Sequence, residues 1–327
     1  MVEVLSGFTI VWVIILVGYV VGKTGVLGER GQPVLSRLAF FVASPALLFD
    51  TLSHADIQAV LGPQLWVAGI SALLAAVIYL GLAAWVLPRR RNSERVIAAL
   101  GASMVNSANL GLPIAAYVLG NAAYAAPVII FQLALYTPVY AFTMDVLTSR
   151  ERAAAEPSEG PRKVGPSTLL RGTQRLFGTI LRNPMILGSG AGLLVSVTGV
   201  PLIDPLAESI HLIGGAAIPA MLIAFGMTLV GSRPLEKSSA RRLDVAVASL
   251  IKLVVHPVLA WVLAAFVFQL EGFDLLSAVV LGSLPTAQNV FVAASRYNAG
   301  LVVAKDTVLV TTVVAIPGMI AIAVLFS

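Results

Sequence analysis

The chain has no cysteine in its 327 residues. Disulfides, thiol chemistry and cysteine-ligated metals are therefore excluded. Charge is also scarce: Asp, Glu, Lys and Arg make up 11% of the residues, against about a quarter in soluble domains. Histidine occurs three times. HExxH, GxSxG, an Asp-rich metal motif and a P-loop are all missing from the sequence. The missing P-loop argues against a self-contained ATP-driven pump. No catalytic set, metal or cofactor is expected.

What is abundant is hydrophobic sequence, at 58%. A spanning helix needs about 20 apolar residues. Ten stretches qualify, at 6–22, 33–52, 65–87, 95–119, 123–147, 180–199, 208–231, 243–268, 275–295 and 302–326. The reading is an all-α integral membrane protein with the lipid bilayer as its solvent. The first stretch follows Glu3 with no cationic segment before it. It is expected to enter the membrane from outside rather than to be a cleaved leader.

The few charges are distributed by side. Twenty of the 21 Lys and Arg residues lie in, or at the edges of, every second gap between apolar stretches. Those gaps hold Lys23, Arg30 and Arg37, then the run Arg89 to Arg91, and further on Arg150 and Arg152, Arg233 and Lys237, and Arg296 and Lys305. The alternate gaps carry acids such as Asp56, Asp204, Glu271 and Asp274. Cytoplasmic loops collect Lys and Arg, so both termini are expected outside a bacterial-type inner (plasma) membrane. In a soluble protein the net charge of +5 would suggest nucleic acid. Here loop asymmetry accounts for it, and no nucleic-acid partner is expected.

The chain repeats itself. Gly18 and Gly22 form a GxxxG in the first stretch, and Gly188 and Gly192 form one in the sixth. Ser44-Pro45-Ala46-Leu47-Leu48 recurs as Ile218-Pro219-Ala220-Met221-Leu222. Leu100-Gly101 answers Leu281-Gly282, and Pro138 answers Pro317. Five helices per unit is an odd number, so the second unit must start on the opposite face and be inverted, a hallmark of secondary transporters. The expected units are 1–147 and 180–327, joined by a cytoplasmic linker at 148–179. Glu151 to Pro166 is rich in Pro, Gly and charge and reads as mobile. Leu169, Leu170, Leu176, Phe177, Ile180 and Leu181 then form an apolar face suited to the inner membrane surface.

Two stretches are poorly suited to an unbroken helix. The fourth contains Asn106-Ser107-Ala108-Asn109-Leu110-Gly111-Leu112-Pro113, and the ninth Leu284-Pro285-Thr286-Ala287-Gln288-Asn289. Each proline removes a backbone donor and disfavours helix in the residue before it. In hydrocarbon the freed groups must find partners, so a break is tolerated where it lines a cavity. Paired interruptions at matching places point to a transport site. Half-helix N-termini present free N–H groups and positive dipole ends, which suit an anion. Asn106, Asn109, Pro113, Pro285, Gln288 and Asn289 are the substrate-binding candidates. The plainer alternative is two proline kinks with asparagines joining helices.

Lys252 is the one cation inside an apolar stretch, about 14 Å deep at 1.5 Å per residue. At that depth an ionisable side chain is a functional candidate, unless it snorkels to the interface. His256 follows one turn later, before Pro257. A histidine there commonly takes up a loosened carbonyl, and its titration near neutral pH also makes it a coupling candidate. Gln132 and Tyr136 share a helix face four residues apart and either line the cavity or bond a neighbouring helix.

These residues resemble a family. Asn106-x-x-x-x-Gly111-x-Pro113 resembles the crossover motif of the auxin efflux carrier family, which includes the plant PIN-FORMED carriers and many bacterial relatives. Leu38 to Phe49, Asn183-Pro184, Ile213-Gly214 with Pro219, Lys252 with Pro257, and Leu284-Pro285 followed by Phe291 and Tyr297-Asn298 also fit. The resemblance implies ten helices in two inverted five-helix repeats, with helices 4 and 9 unwound and crossing. It implies a scaffold of helices 1, 2, 6 and 7, a mobile transport domain of 3–5 and 8–10, elevator-type movement and a homodimer. It implies that Asn106 helps hold a carboxylate, with Asn289 as its counterpart, so the expected partner is a small organic anion. The short loop resembles the bacterial members, not the long-looped plant carriers. The alternatives are a cation-coupled carrier of the bile-acid-symporter or sodium–proton-exchanger type, or a non-transporting receptor.

Overall fold

The computed structural model describes residues 2–55, 60–87, 90–155, 182–231 and 241–326. Among them the chain is helical, with one isolated bridge and no strand. The helices are α1 (Val2–Thr24), α2 (Gly31–Ser53), α3 (Pro63–Val86), α4 (Asn92–Ser103), α5 (Leu112–Tyr117), α6 (Ala122–Ala155), α7 (Pro184–Thr198), α8 (Asp204–Thr228), α9 (Arg242–Val267), α10 (Gly272–Gly282), α11 (Asn289–Tyr297) and α12 (Leu301–Phe326).

Seven of these, α1, α2, α3, α6, α8, α9 and α12, are long and apolar enough to cross a membrane. The other apolar stretches are shorter or divided. α7 is a short apolar helix, begun by Asn183, whose Oδ1 accepts from Met185 N at 3.0 Å, with Pro184 at its first position. That combination satisfies a free donor and pre-sets the backbone. α7 ends on Gly199 at φ +64°, the left-handed conformation that glycine adopts without strain. The fourth apolar stretch is divided into α4 and α5, and the ninth into α10 and α11. Large apolar side chains such as Phe41, Trp66, Trp85 and Leu194 point outward, as a lipid-facing surface requires.

Both GxxxG motifs are close-packing surfaces. A Cβ on Gly18 would strike the Ile223 backbone on α8, and one on Gly22 would crowd Met227. Gly188 lies on the Pro45 backbone of α2, and Gly192 on that of Phe49. Small residues allow backbones to approach where no hydrophobic force drives helices together. Each motif packs on a helix from the other half of the sequence, so α1 pairs with α8 and α7 with α2.

A second body gathers α3, α4, α9 and α12, with Tyr79, Ala98, Val245, Ile251 and Val303 buried among them. Charges fasten its helix ends. Arg90 donates from Nε and Nη2 to the Asp244 carboxylate at 3.0 and 2.9 Å. Arg241 reaches Glu94 at 3.0 Å. The Glu151 carboxylate accepts from Ser93 N at 2.9 Å and Ser93 Oγ at 2.7 Å, capping the start of α4. This contact corrects one boundary. The linker was expected from residue 148, yet the helix runs on to Ala155, because Glu151 has a tertiary partner that a polar linker would lack. Residues 156–181, with the rest of the expected linker and the whole of its amphipathic face, lie outside the described residues.

Candidate functional site

α4 stops at Ser103, and Met104 turns into extended backbone at ψ 123°. α10 stops at Gly282, three residues before Pro285. The two exposed backbones meet. Val105 pairs with Thr286 in an antiparallel bridge. Asn106 N donates to Pro285 O at 2.8 Å, and Ala287 N to Met104 O at 3.0 Å. Each break thus supplies the partners that the other lost, which answers the hydrocarbon constraint without water.

Side chains complete the junction. Thr286 Oγ1 donates to Gly101 O at 2.6 Å, and Thr286 N to Thr311 Oγ1 at 3.1 Å. Gln132 Nε2 donates to Ser107 Oγ at 2.8 Å. Asn109 Nδ2 donates to Gln288 Oε1 at 3.3 Å, joining two predicted residues from the two breaks. Pro113 lies in the first turn of α5, where a missing N–H costs nothing. A five-residue wide turn, Ser107–Gly111, leads into that helix.

Asn106 stands apart. Its side chain is 2% exposed, yet its Nδ2 has no hydrogen-bond partner. An unpaired buried amide costs about 1–3 kcal/mol, so such a group calls for a reason. It sits at the N-terminal end of the second half of the fourth stretch, the positive end of that segment's dipole. Asn289 is different: it is exposed and opens α11. The structure therefore brings Asn106, Asn109, Pro285 and Gln288 to one junction, and places Asn289 at its solvent-accessible edge.

Lys252 does not snorkel. It is fully buried inside the wide turn Ile251–Val255. Its Nζ donates to Gly282 O at 3.0 Å and lies 2.8 Å from His256 Nδ1. Gly282 O belongs to the last turn of α10, the negative end of that helix dipole, which a cation stabilises. His256 is equally buried and takes up no loosened carbonyl, contrary to the first expectation. Its partners are Lys252 and, at 3.3 Å from Nε2, Ser71 Oγ. The reason is competition: an adjacent ammonium is a better partner than a strained carbonyl, because hydrogen bonds to charged groups are the stronger ones. With Lys252 as an ammonium, which only donates, Nδ1 accepts and Nε2 carries the hydrogen. Ser71 Oγ in turn donates to Ala68 O at 3.3 Å.

Gln132 and Tyr136 also lie in a wide turn, Phe131–Tyr136. Gln132 bonds Ser107 and lines a small cavity, while Tyr136 meets Ser103 Oγ at 2.6 Å. Such turns recur at functional sites, and here they re-aim side chains toward the junction. Residue reasoning missed Ser71, Ser107, Thr286 and Thr311. One signal was present. Ser107 and Thr286 stand 179 residues apart, as do Gln132 and Thr311, the same separation as Asn109 and Gln288.

Two interrupted helices joined at a buried polar point, inside a lipid-facing helical body, define a membrane transport protein. Residues 4–323 match the family model described as "Membrane transport protein", and the chain belongs to that family, the auxin efflux carrier family. It is a carrier-family protein, not an enzyme. It is 26% identical over 308 residues to a protein of Rhizobium meliloti (strain 1021) named "Putative malonate transporter", covering 93% of this chain and 89% of that one. It is 24% identical over 312 residues to an "Uncharacterized transporter" of Methanothermobacter thermautotrophicus (strain Delta H), covering 94% and 93%.

Proposed function

We propose that this protein is a secondary transporter of small organic anions, with the substrate carboxylate held at the junction of the two broken helices. The observation that carries the reading is the buried, unpartnered Nδ2 of Asn106 at a half-helix N-terminus. An amide donor at the positive end of a helix dipole is complementary to a carboxylate. Neutral donors bind it without trapping it, which suits release. The relative named for malonate makes short mono- and dicarboxylates the first class to try.

In this reading the ten apolar stretches form two inverted five-helix repeats, 1–147 and 180–327. The α1–α8 and α7–α2 pairs are the scaffold, and the body that carries the junction moves against them as an elevator. Close packing of small residues in the scaffold and ion-paired helix ends in the other body support such a division. The sidedness of Lys and Arg supports a bacterial inner-membrane location with both termini external. The family resemblance supports a homodimer through the scaffold.

A thermal-shift screen of carboxylates on the purified protein tests the proposal. A ligand at about 100 times its Kd stabilises by about 2.7 kcal/mol. Malonate or another short carboxylate is expected to raise the melting temperature of the wild type and not of Asn106→Asp. Equal stabilisation of both would place the anion elsewhere, and stabilisation by none would remove the substrate class.

A further inference from the structure

A cavity lies beside the junction, inside the second body. Its lining includes Gln64, Ser71, Ser103, Gln132, His256 and Gly282. It has about 20 Å³ of space for a water-sized molecule, enough for one water, since about 10–15 Å³ suffices. Gln64, Val67, Ala68 and Ser71 all line it and lie on one face of α3. Seven residues at 1.5 Å each make that stripe roughly 10 Å long. It starts in the first turn of α3, where Gln64 is half-buried and bonds Asp274 O and Ser277 Oγ at the start of α10. It ends at Ser71 and His256, with Lys252 behind them. The cavity thus carries polar groups at both ends, Gln64 near a helix end and Ser71 with His256 beside Lys252, across an apolar middle at Val67 and Ala68.

We infer that Lys252, His256 and Ser71 form a proton-binding site, reached through this cavity, whose loading is coupled to anion binding at the junction. The inference rests on the transport reading above for its coupling, and on geometry alone for the site. Lys252 Nζ and His256 Nδ1 are 2.8 Å apart. Two cations cannot share that contact, since each would present a hydrogen to the other. The pair therefore holds one positive charge or none. Loading begins with a hydronium in the cavity. It gives its proton to His256 Nε2 and becomes water, the Nδ1–H bond breaks, and a new Nζ–H bond forms. Charge ends on Lys252, and the imidazole returns to the tautomer that donates to Ser71. Unloading is the reverse.

The surroundings leave the pair free to exchange. The titratable and charged groups on the packed elements are Tyr79 on α3, Glu94 and Arg95 on α4, Asp274 on α10, and Lys305 and Asp306 on α12; α9 itself carries Arg242 and Asp244. Asp244 and Glu94 are held by Arg90 and Arg241. Asp274 lies in the first turn of α10, at the cavity's far end. Asp306 has a partner of its own. Among the described residues the hydrogen-bond contacts of Lys252 run to Gly282 O and His256 Nδ1, with no carboxylate among them. With no fixed counter-ion, the charge of the pair can follow the proton.

That charge reaches the junction through α10. Lys252 holds Gly282 O, and Pro285 in the bridge is three residues on, roughly 10 Å if extended. A unit charge at that distance changes anion affinity by about tenfold at an effective dielectric constant near 20. By linkage the anion raises proton affinity by the same factor. Both are then held in the same conformation, which makes the carrier a proton–anion symporter.

The chain permits a direct test, because it has three histidines. His54→Asn with His211→Asn leaves His256 alone, and ¹⁵N-histidine NMR in micelles then reads its two ring nitrogens against pH. The expected result is a neutral ring throughout with one pH-dependent step. That step is lost in Lys252→Met, and also in Lys252→Arg, which keeps the charge without titrating. No step in the Lys252 protein, or the same step in Lys252→Met, would overturn the site. Coupling is read separately in proteoliposomes with labelled malonate as probe. A gradient of about two pH units should drive up to about hundredfold accumulation at one proton per anion. Uptake that ignores the gradient would overturn the coupling. Absence of all malonate uptake would count against the transport reading, while the spectra still decide the proton site.

Discussion

The two breaks are alike in backbone and unlike in charge. Gly101 O and Gly282 O stand 181 residues apart and both belong to the last turn of a half-helix. Gly101 O is held by the neutral hydroxyl of Thr286. Gly282 O is held by the ammonium of Lys252. Position 71, which is 181 residues before Lys252, is a serine, so the first half has no matching cation. A duplicated geometry has been given one charged and one uncharged lock. The uncharged lock needs only to keep backbone groups satisfied. On the inference drawn above, the charged one also sets the field at the junction, and its charge follows the proton.

Four predictions sharpen or break this contrast. The largest effect is expected at Lys252. Lys252→Ala should abolish or uncouple flux in proteoliposomes while the protein remains folded by size-exclusion chromatography. Lys252→Arg should rescue poorly, because a planar guanidinium does not replace a compact, fully buried ammonium. Normal transport by Lys252→Met across pH would show that both locks are merely structural.

Next come the asparagines. Asn106→Ala removes a charge-assisted hydrogen bond of about 1.5–3 kcal/mol, roughly tenfold to a hundredfold in Kd. Asn106→Asp should be worse, since it sets a like charge against an anion. Asn289→Ala should cost less, because that residue is exposed at the edge of the junction. Calorimetry on the three variants gives the order, and an Asn289→Ala loss equal to that of Asn106→Ala would erase the asymmetry.

A smaller change is expected from the uncharged lock. Thr286→Val leaves Gly101 O without its hydroxyl donor and should cost about 1–3 kcal/mol of stability. Affinity should fall little and its pH dependence should be that of the wild type. A pH dependence lost in Thr286→Val would show that the neutral lock is also part of the switch. The smallest effects fall on the supports. Tyr136→Phe removes its bond to Ser103 and should cost about 0.5–1.5 kcal/mol, seen in a melting curve with Kd unchanged. Gln132→Ala should cost more than Tyr136→Phe, since it strips a donor from Ser107 beside Asn106.

Much of this was legible in the residues. Apolar length and the spacing of Lys and Arg are local properties, so they located the helices to within a few positions. The extension past Thr148 was the exception, because Glu151 capping α4 is a contact between segments distant in sequence. Proline chemistry located both breaks for the same local reason. The roles of Lys252 and His256 were not legible. Snorkelling, a buried partner and a loosened carbonyl all fit the same spacing on one helix, and only the position of α10 chose among them.

By itself, then, the sequence determined a lipid-facing helical body, two interruptions, and the residue types available at each. Those follow from transfer energies and backbone sterics that act within a few residues. Tertiary structure alone decided which groups satisfy one another. It set Met104 O against Ala287 N, left Asn106 Nδ2 without a partner, and put Lys252 at the end of α10 instead of at the membrane surface. The physical reason is that a hydrogen bond depends on ångström-scale position between segments about 180 residues apart, and no local pattern along the chain encodes that distance.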